Sequence, residues 1–384
     1  MKALEELNRE LERRIDLVAD QQERFELGDL VSPFGASQWG LGPAASKVYG
    51  VQSGLSIGGY GEALFQSQAG SPDEFDLLRA VLYFGYHFDD HWVFNSELEF
   101  EHAGEETGVE FAYLDWLGSD ALNARAGLVL LPMGFLNELH EPTTFLGATR
   151  PETERRILPT TWREGGVGLF GDAGPISYRT YVLNGFDATG FSDAGLRGGR
   201  QNGSEALAED LAFVGRVDWT DTPGLLVGGS LYRGDSGQGE AGLGDTAVSI
   251  YEAHGEWRWR GFRARGLFAR AEVDDVAALD AFLGVGPADS VGEELAGGYL
   301  EAGYDVASLF CEEGGLSITP FARYETLDTQ HDVPAGFVED AANELDILTL
   351  GIDVKPIEQL VFKIDLQDFD DGPDRLNLSL GFAF

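Results

Sequence analysis

Residues 375–384 alternate without interruption: Leu376, Leu378, Leu380, Phe382 and Phe384 fall on one face, and Asn377, Ser379, Gly381 and Ala383 on the other. Successive side chains of an extended strand point to opposite sides, so this segment has one large apolar face and one small or polar face. A half-buried soluble strand alternates too. Five large apolar groups opposite only small or polar ones fit a lipid-facing surface over a wet lumen better.

The same period returns along the chain. Trp92, Phe94, Leu98 and Phe100 oppose Asn95, Glu97, Glu99 and Glu101. Leu211, Phe213, Val217 and Trp219 oppose Arg216, Asp218 and Thr220. Tyr251, Trp257 and Trp259 oppose Glu252, His254, Glu256, Arg258 and Arg260, and Phe362, Ile364 and Leu366 oppose Lys363, Asp365 and Gln367. Sixteen such segments are expected: 56–67, 76–88, 91–102, 108–117, 122–131, 163–171, 175–184, 210–220, 224–233, 248–260, 262–273, 293–307, 316–326, 344–355, 357–367 and 375–384. The facing of 316–326 is ambiguous because Pro320 lies inside it.

The connections carry independent information. Asp89-Asp90, Gly118–Ala121, Asp172–Gly174, Asp221–Pro223, Gly261, Ser308–Gly315 and Pro356 form short links at one end of the strands. At the other end, links at 132–162, 185–209, 234–247, 274–292 and 327–343 are long. Short turns on one side and long loops on the other are the asymmetry of outer-membrane barrels. The expected fold is therefore all-β, a 16-stranded antiparallel transmembrane β-barrel over 55–384, with both barrel ends on the periplasmic side.

No run of 18 or more uncharged apolar residues exists, which excludes transmembrane helices but not spanning strands of about 10 residues. A net charge of −40 opposes nucleic-acid binding. Cys311 is the single cysteine, so neither an intramolecular disulfide nor a cysteine-based zinc site is available. Ahead of the barrel, Leu4, Leu7, Leu11, Ile15 and Val18 recur at spacings of three and four among Arg, Glu and Gln. That narrow seam predicts a coiled-coil helix over 1–27, in the periplasm, that holds protomers together, with a helix docked on the body as the alternative. Residues 28–54 read as a linker rich in Gly, Ser and Ala. No signal-peptide pattern precedes the helix, so the barrel reading takes the chain as a mature or engineered form.

The loop 132–162 offers Glu138, Glu141, Arg150, Glu152, Glu154, Arg155 and Arg156 to a pore constriction if it folds inward; folded outward, those charges are only solvated. Arg79, Arg125, Arg179, Arg216, Arg258, Arg260, Arg263 and Arg265 stand on strands opposite apolar neighbours. Arginine on a lipid face costs about 2–4 kcal/mol at the midplane, so these residues should line the pore. They could form an anion-binding ladder. Equally, they could be neutralised by lumen acids such as Glu97, Glu99, Asp218, Glu252 and Glu256. No GxSxG elbow and no HxxxH spacing occur, so neither catalysis nor a metal is expected, and no cofactor. The stretch Asp368–Asp374 lacks EF-hand spacing; an acidic outer turn is expected there, with bound calcium at such acidic loops as the alternative.

Three stretches carry a family resemblance. The run from Phe88 to His102, the loop start Leu131-Pro132-Met133-Gly134-Phe135 and the terminal Phe384 resemble outer-membrane porins of the phosphate-selective O/P-like superfamily. The resemblance implies a homotrimer of 16-stranded barrels that passes small anionic solutes by diffusion through the outer membrane of a Gram-negative bacterium. It also implies contact with outer-membrane lipid and lipopolysaccharide, a periplasmic coiled coil, and Phe384 as an insertion signal. Phosphate-selective members line their path heavily with lysine and arginine. This chain has only Lys2, Lys47, Lys355 and Lys363 beside 22 arginines, which separates the porin architecture from phosphate selectivity. The reading is a porin for small hydrophilic solutes; the rival is a scaffold barrel with an occluded lumen.

Overall fold

The computed structural model describes Arg14, residues 37–310 and residues 315–384. The heptad-like seam at Leu4, Leu7, Leu11, Ile15 and Val18 and the thiol of Cys311 lie outside the described residues. Sixteen strands follow in order: β1 (Gly54–Gln68), β2 (Glu74–His87), β3 (Trp92–Glu101), β4 (Glu106–Ser119), β5 (Leu122–Leu130), β6 (Arg163–Ala173), β7 (Ile176–Asn184) and β8 (Leu211–Trp219). Then come β9 (Leu225–Gly234), β10 (Val248–Trp259), β11 (Phe262–Val273), β12 (Glu294–Tyr304), β13 (Ser317–Asp332), β14 (Glu344–Ile357), β15 (Leu360–Phe369) and β16 (Arg375–Ala383).

Each strand pairs antiparallel with its sequence neighbours, and β1 pairs with β16 from Tyr60↔Ala383 to Gln68↔Arg375, closing the barrel. Closure leaves no edge with unpaired backbone groups, the condition for strands to stand in lipid.

Burial is inverted relative to a soluble sandwich. On β15, Lys363, Asp365 and Gln367 are buried toward the lumen, whereas Phe362, Ile364 and Leu366 are exposed outward. The face that opened the sequence reading, Leu376, Leu378, Leu380 and Phe382, is likewise outward and exposed. At the short-turn end the outward residues include Tyr86, Phe88, Trp92, Trp116, Trp257 and Trp259, an aromatic girdle at one interface.

Two features depart from expectation. β13 runs to Asp332, past the expected end at 326, because Leu327 and Asp328 still pair with β12 and β14. The polar run Thr329–Asp332 hid that extension in the sequence. Pro320 is accommodated on the outward face: pairing with β12 begins only at Phe321, so its missing N–H falls where that ladder has ended.

The described part of the stretch read as a linker folds into the lumen. Residues 37–53, including the 3-10 turn Ala45–Gly50, lie along the inner wall of β1 to β7 near the short turns, and Leu41, Ala44, Ala45 and Val48 are buried. Gly85 makes room for it: a Cβ there would stand 2.4 Å from a methyl of Val48.

Candidate pore constriction

Loop 131–162 leaves β5 and returns to β6 across the lumen. Its base is closed by Leu131 N donating to Trp162 O at 3.1 Å and by Asn137. The Asn137 amide donates to Leu131 O at 2.7 Å and Trp162 O at 2.8 Å, and its oxygen accepts from Trp162 N at 2.6 Å. Trp162 stacks on Phe186 of the next long loop, with centroids 4.3 Å apart. The first limb reaches the far wall. The Phe135 ring meets His254 at 4.8 Å and lies 4.2 Å beneath the Arg265 guanidinium. Glu154 holds the limb, accepting from Phe135 N, Leu136 N and the Tyr299 hydroxyl at 2.9, 2.7 and 2.6 Å.

The middle of the loop is strapped down by its own backbone. Lys355 Nζ donates to Thr143 O and Arg263 to Thr144 O, at 2.5 and 2.9 Å. Lys363 Nζ donates to Phe145 O and Gly147 O, at 2.9 and 2.8 Å. Arg323 reaches Leu146 O and Thr149 O, both at 3.4 Å. In return Asp353 accepts from Gly147 N at 3.3 Å and Asp365 from Ala148 N at 2.5 Å. Four cations and two carboxylates of β11, β13, β14 and β15 thus fix residues 143–149 by satisfying buried peptide groups.

Two water-accessible cavities flank this strip. The outer one, about 280 Å³, is bounded by Phe145, Ala148 and Thr149 and lined by Arg79, Arg150, Arg155, Arg197 and Arg375 with Glu62 and Glu152. The inner one, about 340 Å³, is bounded by Leu146 and lined by Arg258, Arg260, Arg263 and Lys355 with Asp353. Nitrogens of Arg150, Arg197 and Arg375 in the outer cavity are buried without a hydrogen-bond partner. Burial and the neighbouring Arg200, Arg155 and Arg150 push the Arg197 guanidinium down to about 9, still cationic at neutral pH. Crowded, under-partnered guanidiniums leave a positive potential that an anion relieves.

Of the residues expected at the constriction, Arg150, Glu152 and Arg155 line the outer cavity. Arg155 and Arg156 both pair with Glu152, at 2.9 and 3.1 Å, and Arg156 does not line the cavity. Glu138 is buried 3.4 Å from Arg179, and Glu141 accepts from Ala44 N and Ala45 N at 2.9 and 3.1 Å. Glu138 therefore ties the loop to the wall and Glu141 ties it to the inner segment 37–53, and neither lines a cavity.

The expected lining arginines divide similarly. Arg125 binds Asp115 at 2.8 Å; Arg179 and Arg216 both bind Asp218 at 2.8 Å; Arg265 binds Glu256 at 2.8 Å. Arg79 lies between Glu62 and Glu99, at 3.6 and 3.7 Å. The neutralised arrangement therefore describes most of the wall. Arg258 and Arg260 are exposed at the short-turn mouth, Arg260 beside the Trp259 ring, because the strand ends there. Arg197, Arg323, Lys355, Lys363 and Arg375 went unmarked. Lys363 sat on a recognised polar face, but nothing in its spacing says that it binds a loop more than 200 positions away.

No protein-family model matches the sequence. A protein of Aquifex aeolicus (strain VF5), described as uncharacterized, is 40% identical over 357 residues, covering 87% of this chain and 80% of the relative. The chain belongs to the same family as that protein. Among solved structures, Salmonella typhi OmpF in complex with daunomycin superposes with a TM-score of 0.59 at 9% identity, covering 87% of this chain and 98% of that one. A loop L8 deletion mutant of OmpT, an outer membrane protein of Vibrio cholerae, gives 0.56 at 13% identity over 87% of this chain and all of the other. OmpT in its trimer form gives 0.54 at 12% identity over the same shares. At such identities the likeness is one of fold alone: a porin-like barrel.

Proposed function

We infer that this chain is an outer-membrane porin through which small hydrophilic solutes, anions before cations, pass by diffusion. The observation that carries this is the pair of arginine-rich cavities on the two sides of residues 143–149. Cavities lined by one sign of charge concentrate counter-ions and set selectivity. In this reading Arg150, Glu152 and Arg155 form the narrow region, with Arg197 and Arg375 above it and Arg263 and Lys355 below. The scarcity of lysine favours small anions in general over phosphate in particular. No covalent chemistry is involved.

The homotrimer belongs to the same proposal, supported by the likeness to a barrel described in a trimer form. The seam Leu4–Val18 would hold the three protomers from the periplasm, and Phe384 would mark the barrel for insertion among lipid and lipopolysaccharide. Deleting residues 3–26 should weaken the trimer on native gels; unchanged trimer stability would leave barrel-to-barrel contacts as sufficient.

Single-channel recording in planar bilayers tests the channel. Stepwise conductance with a reversal potential favouring anions in a salt gradient is expected; cation-carried current refutes the selectivity. One observation favours a second reading, a scaffold barrel with an occluded lumen: the strip 143–149 is bound on six of its carbonyls. A silent wild type beside a conducting variant lacking residues 143–149 would favour that reading.

A further inference from the structure

Two histidines of the lumen have surroundings that differ in one chemical respect. His254 Nδ1 lies 2.6 Å from Glu252 Oε1, and its Nε2 lies 2.8 Å from both Asp218 Oδ1 and Arg216 Nη2. The remaining oxygens of those acids are answered by Ser230, Arg179 and Arg216. No carboxylate oxygen of that cluster lacks a partner.

His140 is built otherwise. Its Nδ1 faces the carbonyl of Asn137 at 3.0 Å, and a carbonyl only accepts, so Nδ1 carries the hydrogen. Nε2 then points at Glu97 Oε1, 3.1 Å away, and at Glu110 Oε2, 3.9 Å away. A proton on Nε2 can satisfy one of these oxygens. Glu97 Oε2 and Glu110 Oε2 still lack any donor, although both side chains are nine-tenths buried or more. Arg163 engages only the opposite oxygen of Glu110, at 2.8 Å. Five carboxyl side chains, of Glu62, Glu97, Glu99, Glu110 and Glu141, gather here around Arg79, Arg150 and Arg163.

The geometry points to a divalent transition-metal site held by Glu97 of β3, Glu110 of β4 and His140 of loop 131–162. The three candidate ligand atoms lie within 4.8 Å of one another. Two ligands at about 2.0–2.2 Å from one zinc ion stand roughly 3.3 Å apart, so the cluster needs only small rotations of two carboxylates. A single imidazole with two carboxylates suits zinc or manganese better than calcium, which takes oxygen ligands throughout. The hydrogen bond from Nδ1 to a backbone carbonyl is the support that orients metal-binding histidines. Bound there, the ion would tie the first limb of the loop to the wall on the side away from the 143–149 strip. The site does not rest on the channel reading.

The test uses the full-length protein extracted in detergent, stripped with EDTA and equilibrated with zinc chloride or, separately, manganese chloride. One ion per protomer, retained through gel filtration and counted by mass spectrometry, is expected, with a melting temperature that falls on stripping and returns on reloading. His140→Asn and Glu97→Gln should each weaken binding by at least about tenfold. His254→Gln should leave the stoichiometry intact. Should the first two variants fail to fold, X-ray absorption of the zinc-loaded wild type decides: one imidazole with oxygen neighbours upholds the site, and a sulfur neighbour from Cys311 overturns it. Absence of retained metal together with a melting temperature indifferent to EDTA also overturns it, and leaves His140 as a hydrogen-bond partner of Glu97.

Discussion

Two sets of arginines share this lumen. Arg125, Arg179, Arg216, Arg265 and Arg323 lie against the wall, each bonded to a carboxylate and each buried. Arg150, Arg155, Arg197 and Arg375 rim the outer cavity, where three of the four retain nitrogens without a partner. The first set holds the barrel and its loop together; the second rims a cavity and, in the proposed channel, would meet passing ions. Residue type alone does not separate them, since a guanidinium serves either as a structural cross-link or as a source of field according to its burial and how fully its nitrogens are partnered; Arg155 reaches Glu152 at 2.9 Å yet stays exposed.

The largest break in that comparison should come from the wall. Arg323→Leu strands Glu301 and Glu325 without their cation and frees two carbonyls of the strip. Removing one member of a buried ion pair costs about 3–5 kcal/mol, so the melting temperature should drop markedly and the channel should widen. A variant as stable as wild type would mean that Arg323 is not a cross-link. The cavity set should respond in the opposite way. In Arg150→Ala combined with Arg197→Ala, the anion-over-cation permeability ratio should fall severalfold while stability stays within about 1 kcal/mol. An unchanged reversal potential would remove these residues from the selectivity path.

A subtler difference should follow from pH. Burial pushes the Glu141 carboxyl up to about 7, against the pull of the Ala45 and Ala44 amides. The folded protein thus holds this proton more firmly than the unfolded chain, whose glutamate titrates near 4.3. The stabilisation is complete below about pH 4 and is lost as pH rises through 7. The melting temperature of wild type relative to Glu141→Gln should therefore fall between pH 5 and pH 8; parallel profiles would dismiss Glu141 as the titrating group. Smallest of all should be Arg258→Ala. Its pair with Glu256 at 2.6 Å is exposed at the mouth, so about 0–1 kcal/mol is at stake, visible only as a slight shift in melting temperature.

Much of the architecture was legible beforehand because strand alternation is local. Whether Leu378 or Ser379 faces lipid follows from its immediate neighbours, and sixteen alternating segments with unequal connections leave a closed barrel as the consistent answer. β13 was the least legible strand, since Pro320 and the polar Thr329–Asp332 disguise both its ends. The site was less legible still. The position and length of loop 132–162 marked it, and Arg150, Glu152 and Arg155 do line a cavity. Glu138 and Glu141 had the same apparent character but were captured by Arg179 of the wall and by residues 37–53, which no pattern places inside the barrel.

By itself, then, the sequence determined which face of every strand but β13 meets lipid, the number of strands and the end that carries the long loops. These depend on periodicity and loop length, properties of contiguous residues. Only the tertiary structure decided which charges stay solvated. That choice depends on partners brought together across the barrel, such as Lys363 on Phe145 O and Gly147 O, or Glu97 and Glu110 around His140. Separation along the chain says nothing about such meetings, because closing the barrel sets distances around the wall while the inward loop selects which wall residues it touches.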